Sequence, residues 1–375
     1  MIRKTLKKII TYIRLKLCLI LINEKTVLLI SHDFSLSGAP IVLLNTAEIL
    51  KSHGYNVIIL SPLKGKLESV VKSKKIKYFV TYNMTKLKSY NRVLKKAKFI
   101  IVNTIVNYET IHIINNFEEK NQKVLWWIHE GNTYISKYQD KIERNLKNNI
   151  LIMPVSLYVK DKLDEANLFE NCEKYLLPYY LNDINNEYQT RNREKYTIAI
   201  VGSICPRKNQ IDVIDALNYN KNENLTEHIL LCIVGDSIDD KYYSELKEKL
   251  EKSNIRYKMI NSIPKNEMNT FYQNIDLLVC PSIDDPLPVV VSEAMQNAIP
   301  VLCSNHTGQY GLITDGYNGF TYDVTNVEEL SKKIQNIFSL QTEELLEIGN
   351  NEKKLVDEVL SKKNFENKLI SILEG

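Results

Sequence analysis

The sequence predicts an α/β protein made of two doubly wound, Rossmann-like domains facing a cleft. Three observations lead there. The chain has 375 residues, and at roughly 150 residues per domain that is two domains or one large one. Short apolar runs alternate with longer amphipathic stretches, and the runs are continuous rather than alternating, as in strands buried on both faces of a parallel sheet. The series breaks once, at 181–195 (LNDINNEYQTRNREK), a polar stretch nearly free of aliphatic residues that reads as a linker.

The first series comprises the apolar runs 27–31, 57–60, 76–80, 99–102, 124–128 and 151–153. The stretch from Pro40 to His53 reads as a helix, with proline in its first turn and Gly54 just past its end. The second series comprises 196–201, 229–234, 255–260, 276–280 and 300–303. In such sheets ligands bind beyond the carboxyl ends of the strands, and the chemically distinctive residues of this chain fall there.

Composition is ordinary for a globular protein, with 44% hydrophobic and 25% charged residues. That excludes a disordered chain or a small disulfide scaffold. Lys and Arg number 49 against 45 Asp and Glu, a net charge of 49 − 45 = +4, too slight to signal nucleic acid. The six cysteines (Cys18, Cys172, Cys205, Cys232, Cys280 and Cys303) form no C-x-x-C pair. They fit reduced thiols in a cytoplasmic protein rather than a zinc site or a disulfide framework.

Residues 1–22 (MIRKTLKKIITYIRLKLCLILI) stand apart. The segment is too short and too charged to span a bilayer, and no small-residue cleavage site follows it. Two readings remain. One is an amphipathic helix on the inner membrane face, with Lys4, Lys7, Lys8, Arg14 and Lys16 at anionic headgroups. The other is a helix packed on its own domain.

Five strand ends carry the candidate chemistry. Ser31–Pro40 (SHDFSLSGAP) is a small-residue turn into a helix, either a backbone approach to an anion or a plain connection. Val124–Gly131 (VLWWIHEG) holds both tryptophans and puts His129 at a strand terminus, where an imidazole could donate to a substrate hydroxyl or phosphate. The bland alternative is a structural histidine, and the tryptophans read as core. After Gly202, Arg207 and Lys208 pair a forked guanidinium with a point charge, suited to a diphosphate, or are simply a solvated basic turn. Asp285 and Glu293 lie eight residues apart around a proline-rich turn and a helix start. Glu293 sits among apolar neighbours, where an unpaired carboxylate is costly and two vicinal hydroxyls would satisfy it; a capping or ion-paired Glu is the other possibility. Ser304–Gly311 offers N–H groups for phosphate, while Asp315-Gly316 and Asn318-Gly319 signal turns. There is no D-x-D triplet, nucleophile elbow or kinase signature.

Taken in order, Gly202…Arg207-Lys208-Asn209, Ile233-Val234-Gly235-Asp236, Asp276–Ser282, Ser292-Glu293-Ala294-Met295…Pro300-Val301 and Asp315–Phe320 resemble the family 4 glycosyltransferases, retaining enzymes of the GT-B fold. The resemblance covers about 26–375 and is looser in the first half, where Gly38-Ala39-Pro40 is similar to the family's glycine loop and His129 to its strand-end histidine. It implies that Arg207 and Lys208 hold the donor diphosphate, with Gly38 meeting phosphate or acceptor and Gly202 and Gly308 in the donor loops. It further implies that Glu293 binds the nucleotide ribose, and that Asp285 and His129 lie beside the reacting sugar. No metal or other cofactor is implied. Two departures stand out. Asp285 replaces the usual Glu and precedes proline instead of glycine, and the family's Glu after the late glycine pair is replaced near Gly311.

The domain boundaries expected are 1–24 for the basic helix, 25–180 for an acceptor domain, 181–195 for the linker and 196–354 for a nucleotide-sugar domain. Residues 355–375 would form a helix crossing back to the first domain. The resemblance implies sugar transfer from a nucleotide sugar to a lipid-linked saccharide in cell-surface polysaccharide synthesis. A non-catalytic nucleotide-sugar-binding subunit and a sugar-nucleotide epimerase of the same fold are the alternatives.

Overall fold

A computed structural model describes residues 2–118, 122–184, 196–219 and 227–375. Most of the expected linker, 185–195, lies outside the described residues. The chain divides into two compact units, residues 1–179 with 366–375, and residues 180–365.

The first unit runs α1 (Ile2–Leu21), β1 (Thr26–Ile30), α2 (Gly38–Ser52), β2 (Asn56–Ser61), α3 (Leu67–Ser73), β3 (Lys77–Val80), α4 (Lys88–Lys96), β4 (Phe99–Asn103), α5 (Tyr108–Asn115), β5 (Lys123–Ile128), α6 (Asn132–Tyr138), β6 (Ile150–Pro154) and α7 (Leu157–Glu165). Its sheet has the order β3-β2-β1-β4-β5-β6 and every pairing is parallel. Val27 at the centre faces Val57 on one side and Phe99 on the other. Residues 27–30 have no exposed surface, which is why their run is continuous rather than alternating. The strand order reverses between β1 and β4, so the loops leaving these two strands diverge and open a crevice at their carboxyl ends. The helix expected at Pro40 starts two residues earlier, at Gly38, and Gly54 takes the left-handed conformation (φ +79°) just beyond it.

α1 packs on its own unit, against α4 and β3. Leu15 and Cys18 are fully buried, and burial pushes the Cys18 thiol up to about 12. This corrects the placement of Arg14 at headgroups. Its Nη1 donates to the Val80 carbonyl at 2.6 Å, because that carbonyl ends the edge strand β3 and needs a donor.

The second unit runs β7 (Tyr196–Val201), α8 (Gln210–Tyr219), β8 (Ile229–Val234), α9 (Asp240–Lys252), β9 (Arg256–Ile260), α10 (Met268–Tyr272), β10 (Leu277–Cys280), α11 (Val289–Gln296), β11 (Val301–Ser304), β12 (Phe320–Tyr322), α12 (Val327–Ser339), α13 (Thr342–Val359) and α14 (Lys362–Glu374). The sheet order is β12-β11-β10-β7-β8-β9, again parallel. β7 plays the part of β1, and the order reverses between β7 and β10. β12 is the strand the sequence does not announce. It has three residues, too few for a pattern, and it follows the expected glycine turns, where Gly316 N–H donates to the Gly319 carbonyl at 2.8 Å.

The carboxyl-terminal half of α14 belongs to the first unit. There His53 pairs with Glu366, and Lys123 Nζ donates to the Ile372 carbonyl at 3.0 Å. All six cysteines are free.

One buried acid sits away from the carboxyl ends of the strands. Glu352 on α13 has no exposed surface and accepts the Val301 N–H at 2.9 Å, while its Oε2 has no partner among the described residues. Burial raises its carboxyl well above the ordinary value, so the native state holds a proton that the unfolded chain releases. Its contribution to stability is present in acid and is lost as pH rises. Glu352→Gln keeps an acceptor for Val301 and removes the titration. We expect the variant to match the parent near pH 4 and to exceed it at pH 8 by about 1–3 kcal/mol, read from thermal melts at the two pH values.

Candidate active site

The second unit gathers its candidates at the point where the strand order reverses. β7 ends at Val201, and Gly202 follows with φ +151°, its N–H on the Val234 carbonyl at 2.8 Å. A side chain here would press on the Lys208 stem at 3.2 Å. The chain then makes a single 3-10 turn, Pro206–Lys208, and leaves it through Asn209 in the left-handed conformation. That turn puts Arg207 and Lys208 beside the loop that leaves β10.

The carboxylate meets the cations directly. Lys208 Nζ donates to Asp285 Oδ2 at 2.5 Å, and Arg207 Nη1 lies 3.7 Å from the same oxygen while donating to the Asp284 carbonyl at 2.6 Å. Asp285 is only 7% exposed. Its N–H donates to the His306 carbonyl at 3.0 Å, and its carbonyl accepts the Gly308 N–H at 2.9 Å. Two cations and one acid therefore form a compact cluster with net positive charge, a fitting seat for a phosphate oxygen.

Gly308 needs correction as a phosphate donor. Its N–H is committed to Asp285, and a Cβ there would lie 1.9 Å from the Pro286 carbonyl. The glycine is required by close backbone packing between the β10 and β11 loops.

Glu293 stands in α11, half-buried. Its Oε2 accepts the Tyr272 hydroxyl at 3.0 Å, and the same hydroxyl reaches the Val290 carbonyl at 3.2 Å. Burial raises the Glu293 carboxyl, against the pull of Tyr272 and of the nearby Lys265 charge. Tyr272 was not singled out from sequence. An aromatic in a short helix looks like core, and it is core (0% exposed), with its hydroxyl turned to Glu293.

The first unit presents a second cluster, at the ends of β1, β4 and β5. His129 packs against Trp127 with the rings tilted by 48° and their centroids 4.6 Å apart. Both tryptophans are core, as expected, and their indole N–H groups donate to the Thr104 and Leu177 carbonyls. His129 Nε2 is sequestered from solvent and has no partner among the described residues. Burial, helped by the adjacent His32, lowers its imidazole to about 3, so at neutral pH the ring is uncharged.

Glu130 has the larger structural role. Its Oε2 accepts the N–H of Ile105 and the N–H of His129, each at 3.0 Å, and Thr104 also bonds to the carboxyl. Thr104 has φ +75°, a conformation costly for a β-branched residue, and the carboxyl helps to hold it. Burial nevertheless raises Glu130 to about 7. The sequence marks Glu130 only by its place after His129, because nothing in a sequence tells which backbone groups a carboxyl will collect. His32, at the end of β1, lies 3.5 Å from Thr104 Oγ1 and joins this cluster. Gly38 opens α2, and the place its side chain would occupy has no protein atom within 4 Å.

A cavity of about 800 Å³ opens elsewhere, at the amino ends of the first sheet's strands, lined by Lys25, Lys98, Lys123 and Leu373. It lies at the opposite end of the first sheet's strands from the His129–Glu130 cluster.

Two parallel sheets of this order, each carrying its polar residues at the reversal of strand order, are the halves of a GT-B glycosyltransferase. Solved structures agree on the architecture. A glycosyltransferase from Rickettsia africae superposes with TM-score 0.75 over 94% of this chain and 98% of its own, at 18% identity. Anabaena HepE in complex with UDP-glucose gives 0.73 over 93% and 99%, at 16% identity. These are likenesses of fold. The sequence models are more specific: residues 183–355 match glycosyl transferases group 1, and residues 23–165 match glycosyl-transferase family 4. The chain belongs to the group 1, family 4 glycosyltransferases. Among characterised relatives, it is similar to the UDP-Gal:alpha-D-GlcNAc-diphosphoundecaprenol alpha-1,3-galactosyltransferase of Escherichia coli, 21% identical over 86% of this chain and 92% of that protein. It is also similar to the capsular polysaccharide biosynthesis glycosyltransferase CapM of Staphylococcus aureus, 24% identical over 79% and 64%.

Proposed function

We propose that this protein is a retaining transferase that moves a hexose from a nucleotide sugar to a lipid-linked saccharide in cell-surface polysaccharide assembly, working at the cytoplasmic face of the membrane. The observation that carries the donor half is the Arg207–Lys208–Asp285 cluster at the strand-order reversal of the second sheet, with Glu293 on the helix that follows. The acceptor half is supported by the Escherichia coli relative, whose name gives a diphosphoundecaprenol-linked sugar as its acceptor.

The chemistry follows from charge. As the bond from the sugar's anomeric carbon to the phosphate oxygen breaks, the diphosphate gains negative charge. Arg207 and Lys208 are fixed in place before this happens and need no reorganisation, so they favour the transition state over the ground state. The acceptor oxygen forms the new bond to the anomeric carbon, and its proton passes to the departing phosphate oxygen. No protein base is required. This suits His129, a neutral imidazole that contacts the sugar, and Asp285, already engaged by Lys208 and held beside it. Glu293 takes the ribose hydroxyls, and Gly38 lets backbone approach phosphate or acceptor. No metal or cofactor enters the proposed reaction.

The experiment is a panel of nucleotide sugars incubated with and without lipid-linked and free saccharide acceptors. Transfer with the anomeric configuration kept is the expected result. Conversion of the donor without acceptor would identify an epimerase instead. Donor binding with no turnover across the panel would leave a binding subunit.

A further inference from the structure

We propose that α1 is a membrane-docking element whose outward face seats in the surface of an anionic bilayer. The argument begins with what the packing leaves over. The inward face of α1 is Thr11, Leu15 and Cys18, all without exposed surface. At 100° per residue, Leu6, Ile9, Ile13, Leu17 and Ile20 form a single stripe roughly opposite, with spacings of three and four. Each is about half exposed or more, up to 77% at Ile20. A surface helix of a globular domain turns one apolar face inward and a polar face outward. This one has two apolar faces, and only one is used by the fold.

Charge identifies the occupant. α1 and α4, packed together, contain ten Lys and Arg residues and no Asp or Glu. Arg14 is turned inward, but Lys7, Lys8 and Lys16 are exposed, as are Lys95 at the end of α4 and Lys98 just after it; all of these but Lys8 lie over an aromatic ring and keep their ammonium groups at the surface. Two copies of this chain pairing through the stripe would bring two acid-free cationic surfaces together, which charge repulsion opposes. A bilayer containing acidic phospholipids satisfies both features, taking the stripe into the acyl boundary and the lysines at its headgroups. No helix among the described residues is long and apolar enough to cross a membrane, so α1 lies in the membrane plane. This inference does not depend on the transferase reading, and its test measures binding rather than turnover.

Deleting α1 is a poor probe, because it would strip cover from α4 and β3. The informative variant is Leu6→Gln, Ile13→Gln, Leu17→Gln, Ile20→Gln in the full chain, all at positions facing away from the core. We expect its thermal melt to match the parent. In co-sedimentation with vesicles of equal parts phosphatidylglycerol and phosphatidylcholine, we expect the parent to bind and the variant to bind at least tenfold more weakly. Binding of the parent should fall sharply in high salt and with phosphatidylcholine alone. Equal binding by parent and variant would overturn the proposal. So would indifference of the parent to lipid charge, and so would a parent that ignores vesicles but dimerises through the stripe, shown by light scattering and lost in the variant.

Discussion

Lys208→Ala is expected to slow sugar transfer by about 10²–10³-fold, the cost of removing one preorganised donor from a charge that develops in the transition state. It should also destabilise the second unit. The Lys208 and Asp285 side chains are 14% and 10% exposed and meet at 2.5 Å. Removing the ammonium leaves a nearly buried carboxylate with the Ser282 hydroxyl, at 3.4 Å, and Arg207, at 3.7 Å. Breaking a fully buried pair costs roughly 3–5 kcal/mol; the residual exposure and the Arg207 charge bring the expectation here to about 2–4 kcal/mol. The two effects separate in the double variant Lys208→Ala, Asp285→Asn. It removes the orphaned charge, so urea melts should return to within about 1 kcal/mol of the parent, while transfer stays slow. Recovery of transfer in the double variant would mean that Lys208 serves only to neutralise Asp285. An unchanged melt in the single variant would mean that the pair contributes nothing to the fold.

The strand-end acid and imidazole of the first unit should reveal themselves through pH. Glu130 is raised from 4.5 to about 7, so the folded protein keeps a proton that the unfolded chain loses. Its contribution to stability is full below pH 4.5 and is lost as pH rises through 7. His129 is lowered from 6.5 to about 3, so its contribution is full above pH 6.5 and is lost as pH falls through 3. Between 4.5 and 6.5 the two slopes oppose each other and nearly cancel. Glu130→Gln leaves His129 alone. The variant's stability relative to the parent should climb with pH across this window, by about 2 kcal/mol in all. His129→Gln leaves Glu130 alone and should give the opposite slope. Denaturant melts at half-unit pH steps measure both. Difference curves that stay flat for both variants would show that neither group is perturbed in this way. At pH 6, where the parent carries a largely protonated Glu130, Glu130→Gln should retain most of its activity, as befits a positioning residue.

Some of this was legible before any coordinates. Continuous apolar runs such as 27–31 suit strands covered on both faces, and two series of them, separated by the polar stretch 181–195, point to two sheets. Arg207 and Lys208 were legible as a pair because they follow a strand and precede a helix start. The three-residue strand β12 was not, since periodicity needs length. Nor was the inward turn of Arg14: a basic residue in an amphipathic helix reads as surface until its guanidinium is seen to donate to the Val80 carbonyl. Gly308 looked like a phosphate loop residue because glycine permits both free N–H groups and close packing, and a sequence does not say which.

By itself, then, the sequence determined the architecture and the family and marked the strand ends that carry candidate residues, because those depend on local patterning and on residue types in order. Only the tertiary structure decided who partners whom. That Asp285 sits on Lys208, 77 residues away, that Glu130 gathers the N–H groups of two strand ends, and that α1 keeps a second apolar face after packing its first, are outcomes of burial and of satisfying buried polar groups. Those depend on which segments the fold brings together, and no local pattern encodes them.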